Sequence, residues 1–126
     1  MAKYISIIDS AYRATIEEQD DTALWFNHAM KNGGPEVSIL LRSDVVNYAV
    51  LNQDASGLRF GDRPVRGPDI ARDVKAIVEK RIPLYVVADD LAERAIASSQ
   101  LVPGVESIQR SAIVRLLENH DRVLTW

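Results

Sequence analysis

Carboxylates stand at the ends of three apolar runs. Asp9 follows residues 4–8, Asp44 follows residues 37–41, and Asp89 and Asp90 follow residues 84–88. Clustered carboxylate oxygens can hold a hard divalent cation, so metal-assisted chemistry is the first possibility to weigh. Helix N-capping accounts for Asp20, Asp69 and Asp89 or Asp90 with fewer assumptions, because a short acidic side chain just before a periodic segment accepts from its first free N–H groups. No metal site is therefore expected. Arg59, Arg63 and Arg66 lie close enough to clamp a phosphate or an acidic surface. The glycines near them fall in mid-loop rather than between a strand and a helix, so there is no phosphate cradle, and solvated loop arginines are the simpler reading.

His28 and His120 are far apart, with no serine or carboxylate spaced to complete a triad, and both read as surface or capping residues. The chain contains no cysteine. That removes disulfides, thiolate zinc sites and a cysteine nucleophile together. No catalytic residue and no cofactor can be assigned, and the balance leans away from an enzyme. Trp25, beside Phe26, and Trp126 are large apolar groups in a small chain. Each is either core or, if exposed, a subunit contact, where tryptophan is enriched.

These residues need a frame. With 126 residues, 47% hydrophobic and 26% charged, the chain suits a single globular domain over residues 1–126. A formal net charge of −3 gives no basic footprint for nucleic acid or an anionic membrane surface, so neither is expected as a partner. The N-terminal apolar run breaks at Asp9, too early for a signal-peptide core, and no later run could span a bilayer. A cytoplasmic location is the corresponding expectation.

Residues 4–8 read as a buried strand, residues 23–31 as a helix stopped by Asn32-Gly33-Gly34-Pro35, and residues 36–41 as a second strand with the continuous apolar character of one covered on both faces. Ala23, Leu24, Phe26, Ala29 and Met30 supply the first helix with a packing face. Residues 45–51 begin a short helix. Residues 52–68 read as a long irregular surface loop. Asp69 opens the clearest helix, with Ile70, Val74, Ile77 and Val78 on one face, ending near Lys80-Arg81. A third strand over 82–88, a short helix capped by Asp89-Asp90 and running to about Ser98, and a brief strand at 105–108 follow. A helix over 109–120, with Ile113, Leu116 and Leu117 inward, precedes a last strand at 123–126. Strands alternating with helices predict a three-layer α/β/α sandwich with a mostly parallel sheet of about five strands. In such folds the strand C-terminal ends gather the functional loops, which aligns Asp9, Ser10, Asp44, Ala88, Asp89 and Arg94 along one edge as candidate ligand-binding residues.

Ile82, Tyr85, Asp90-Leu91, Arg94, Val114-Arg115-Leu116, His120 and Trp126 together resemble the DsrH/TusB branch of the DsrE/DsrF/DsrH sulfur-relay superfamily. Residues 40–46 with Ala49 are similar to that superfamily's apolar strand and Asp, Gly, Val turn, with Val45 in place of the glycine. The resemblance covers the chain from about Ala23 onward. It implies a small α/β/α domain that assembles into trimers or hexamers, often from distinct related subunits, and passes persulfide sulfur between cysteines. It also implies an acceptor cysteine after the third strand, near Ala88, or in the DsrH type on the first helix, near Trp25 and Phe26. Neither position holds sulfur. The expectation is a non-catalytic structural or regulatory subunit, in a homo-oligomer or beside a cysteine-bearing paralogue, with Trp25 and Trp126 as interface candidates. The alternative is a domain that binds a small anionic ligand at the strand-end edge.

Overall fold

A computed structural model describes residues 2–11, 21–53, 57, 59–65 and 69–126. Asp20 and Arg66 lie outside these residues. Strand β1 (Lys3–Ile8) leads to helix α1 (Thr22–Asn32) and strand β2 (Glu36–Leu41). A 3-10 helix (Ser43–Ala49), a two-stranded hairpin of β3 (Arg59–Phe60) and β4 (Arg63–Pro64), and helix α2 (Ile70–Glu79) follow. The chain continues through β5 (Leu84–Val87), α3 (Ala88–Glu93), β6 (Glu106–Ile108), α4 (Ile113–Glu118) and β7 (Arg122–Thr125).

The main sheet has five strands in the order β6-β5-β2-β1-β7, and every pairing in it is parallel. The α/β architecture with helices on both faces is the expected one. Alternation along each strand divides the core. Ile8, Val37, Ile39, Leu41, Leu84 and Val86 face α1 and α2 and join Leu24, Val74 and Ile77 in the larger cluster. Ile5, Ile7, Leu40 and Val87 face the other way, where Ile113, Leu116 and Leu117 pack against them as expected. Complete burial of each large aliphatic side chain contributes about 1.5–3 kcal/mol, so the first face holds most of the stabilisation.

Several boundaries differ from the sequence reading for identifiable reasons. Asp21 caps α1, its Oδ1 accepting from the Leu24 N–H at 3.0 Å. The inward face of α1 is Ala23, Leu24 and Asn27, whereas Phe26 is 37% exposed. Asn27 is admitted because its hydrogen bonds are met inside. The Ser6 hydroxyl donates to Asn27 Oδ1 at 2.6 Å, and Asn27 Nδ2 donates to the Ala23 carbonyl at 2.8 Å. Asp69 caps α2 as expected, accepting from the Arg72 N–H. Asp89 and Asp90 do not cap α3. Its N-cap is Val87, both acids lie in the first turn, and the helix stops at Glu93 rather than near Ser98, with Ala95 turned to a φ of 54°. The expected helix over 109–120 is a 3-10 turn at Arg110–Ala112 running into α4. Within the long loop, Gly61 at φ +59° turns the β3-β4 hairpin, which the lack of a hydrophobic alternation concealed.

Candidate functional site

Parallel pairing brings Asp9, Arg42 and Ala88, the residues that directly follow β1, β2 and β5, to one edge, and the segments after them fill it. The edge is a lattice of ion pairs. Arg42 donates to Asp9 Oδ2 through Nη2 at 3.0 Å and Nε at 3.3 Å. Arg94 donates to Asp44 Oδ1 through Nη2 at 2.8 Å and Nε at 3.1 Å, and its Nη1 reaches the Asp90 carbonyl. Arg110, just beyond β6, donates to Asp90 Oδ1 at 2.6 Å and to Glu93 Oε1 at 3.2 Å, while its backbone N–H donates to Asp89 Oδ1.

Asp90 is the centre of this lattice and is nearly buried. Its Oδ2 accepts from the Ser43 N–H at 2.7 Å, joining the end of β2 to α3. Burial would raise its pKa. The Ser43 N–H, the Arg110 guanidinium and the positive charge of Arg94 outweigh that and hold the carboxyl below its ordinary value. Ser43 has a φ of 57°, the left-handed region that a side chain ordinarily avoids, and the Asp90 carboxylate fixes its N–H there. The turn's left-handed position is therefore Ser43. Val45 is fully buried in a 3-10 helix and has no need to be glycine.

The six residues read as a ligand edge thus do share one edge, but their roles there differ. Asp9, Asp44, Asp89 and Arg94 are engaged in pairs within the chain, Ser10 is exposed beside Asp9, and Ala88 is half-buried at the mouth of the edge. The sequence reading missed Arg110 and Glu93. The strand-end rule, applied to β6 as it was to β1, β2 and β5, would have found Arg110 two residues past Ile108. Among the described residues no group of three or more acids or histidines could hold a metal ion. No helix among them is long and apolar enough to cross a membrane.

The two tryptophans part company. Trp126 is half-buried. Its ring is 5.2 Å from that of Phe26 at an interplanar angle of 53°, and its Nε1 donates to Ser6 Oγ at 3.2 Å. Trp25 is 58% exposed. The histidines have partners: Lys80 Nζ donates to the His28 carbonyl at 2.7 Å, and His120 bridges the Leu116 carbonyl and Ser38 Oγ. His120 lies just past α4 and meets a carbonyl of its last turn, the capping role expected of it.

No curated protein matches the chain in sequence. Among solved structures it is similar to the YchN protein from E. coli, at a TM-score of 0.75 and 22% identity, with 100% of each chain covered. It is also similar to MTH1491 from Methanobacterium thermoautotrophicum, a protein of unknown function, at a TM-score of 0.68 and 14% identity over 100% of both chains. At such identities the likeness establishes the fold. The model of the DsrE/DsrF-like family matches residues 3–126, almost the full chain, and the protein is a member of that family.

Proposed function

We propose that this chain is a non-catalytic family member, a structural or regulatory subunit of an oligomer related to sulfur-relay complexes. The observation that carries the reading is Ala88. It stands directly after β5, where the resemblance puts the acceptor cysteine, and its methyl group has no lone pair. Persulfide transfer needs a thiolate to attack the donor's terminal sulfur while the donor's S–S bond breaks and its thiolate leaves. A cysteine-free chain cannot make that attack.

The surroundings support an assembly role over anion binding. The three guanidiniums described at the strand-end edge, Arg42, Arg94 and Arg110, each meet a carboxylate of the same chain, so an arriving anion would have to displace one. Apolar groups instead stand exposed on the α4 side. Val114 is 66% and Val123 45% exposed. Val123 pairs with Ile5 in register and so shares its face of the sheet. Association on this side would cover both valines.

The test is light-scattering mass on size exclusion, for the chain alone and mixed with a cysteine-bearing family member. A trimer or hexamer, or a mixed assembly, is expected. A strictly monomeric chain that binds no relative overturns the proposal.

A further inference from the structure

Helix α2 has a second face. Val74 and Ile77 turn into the core, while Ala71 and Val78, at i and i+7, are half-buried on an adjoining stripe. Opposite that stripe run Leu51, Val102 and Pro103, and the two walls enclose a cavity of about 510 Å³, well within the range of ligand pockets. Both walls are fixed in advance. The Leu51 N–H donates to the Gln100 carbonyl at 2.7 Å and the Val102 N–H to the Ala49 carbonyl at 2.8 Å, about an antiparallel bridge between Val50 and Leu101. Gly104 packs on Val78 so closely that a Cβ there would collide with it, which holds the turn after Pro103 against α2. Binding between such walls needs little ordering of the protein, and that favours affinity.

The polar groups specify the kind of occupant. Two charged side chains line the cavity, Lys75 and Glu79, and they pair with each other at 3.8 Å across one helical turn. Their charges offset, so an ion of either sign would have to displace one of them. Asn52 is the remaining polar lining residue. Its φ of 63° is left-handed, which asparagine tolerates better than most residues. Its carboxamide has no hydrogen-bond partner among the described residues. A carboxamide both donates and accepts, so it can meet a hydroxyl in either sense.

We propose that the cavity between α2 and the segments at 51–52 and 102–103 binds a small uncharged ring compound bearing one hydroxyl, its apolar part against Ala71, Val78 and Val102 and its hydroxyl on the Asn52 carboxamide. The cavity lies on the α2 side of the sheet, and the valines of the assembly reading lie on the α4 side, so the two readings fail separately.

2-Naphthol, uncharged at pH 7, is the probe, with naphthalene and 2-naphthoate beside it and binding to the full chain read by equilibrium dialysis. Saturable uptake of 2-naphthol with a Kd on the order of 0.1 mM is expected, with a rise in Tm that follows the same Kd. 2-Naphthoate should bind about ten-fold more weakly. Ala71→Leu, which fills the cavity with a good helix former, should weaken 2-naphthol about ten-fold. Asn52→Gly keeps the left-handed backbone and removes the carboxamide, so it should weaken 2-naphthol about five-fold and leave naphthalene unchanged. Absence of saturation overturns the proposal, as does full affinity in Ala71→Leu or 2-naphthoate binding as tightly as 2-naphthol. If Ala71→Leu does not fold, Asn52→Gly decides, and an equal change for 2-naphthol and naphthalene overturns it. Mass on size exclusion is read from the same samples. Leu51→Glu dissociating an oligomer that takes up no 2-naphthol would assign this face to a subunit contact and end the proposal.

Discussion

Asp90 shows how one side chain can define a strand-end edge. Its two oxygens hold the Ser43 N–H and the Arg110 guanidinium, so it ties β2 to α3 and α3 to the turn after β6. Asp90→Asn should therefore cost about 1–3 kcal/mol at pH 7, read by urea denaturation, because a charge-assisted pair is lost and a backbone donor is left with a weaker acceptor. The pH dependence has a definite sign. A carboxyl with a depressed folded-state pKa stabilises fully above its unfolded value, 3.8, and loses that contribution as pH falls through the lower folded value. The wild-type advantage over Asp90→Asn should then shrink between pH 4 and the acid limit, and a gap constant down to that limit would refute the assignment. At the neighbouring Ala88, Ala88→Cys should create a thiol open to alkylation, since the position is half-buried and not sealed. One added carbamidomethyl by mass spectrometry is the expected outcome. A thiol that stays unmodified in the native state and reacts only after denaturation would show the edge to be closed.

Among the elements, those built on strong periodicity were legible and those built on long-range contacts were not. Ile70, Val74 and Ile77 announce α2, and the apolar runs of β1, β2 and β5 announce a sheet buried on both faces. The strand-end rule likewise gathered Asp9, Asp44, Asp89 and Arg94. Their pairings escaped it because they join residues 21 to 50 positions apart in the chain, as in Arg110 with Asp89 and Arg94 with Asp44. Asn27 escaped for the same reason. Its burial depends on Ser6, 21 residues away, and a polar residue on an otherwise apolar face gives no local sign of its partner. Gly104 is another such case. It has a φ of +98°, and a Cβ there would lie 2.5 Å from Val78 Cγ1 on α2. Two costs are separable by experiment: Gly104→Ala should lose about 1–2 kcal/mol to the left-handed backbone and more to the collision. Adding Val78→Ala should return the collision part and leave the backbone part. A double mutant showing no recovery beyond additivity would mean that Val78 is not the obstacle.

The two sides of the sheet are unequally covered. α1, α2 and the 3-10 helix at Ser43–Ala49 fill one face, while among the described residues the six-residue α4 is the helix packed on the other. Val123 lies on that second face at β7, an edge strand of four residues, and Val114 points outward from α4. In an isolated subunit these valines are a hydration cost and an aggregation liability. In the proposed oligomer they would be buried contact, which ties the assembly reading to a particular face. Val114→Glu and Val123→Glu alter side chains that are largely exposed within the subunit, so each should leave far-UV circular dichroism unchanged. Combined, they should shift the mass on size exclusion from the oligomer to the single chain, because burying two carboxylates at a contact costs far more than the contact returns. A double variant that keeps the wild-type mass would move the interface away from α4 and β7.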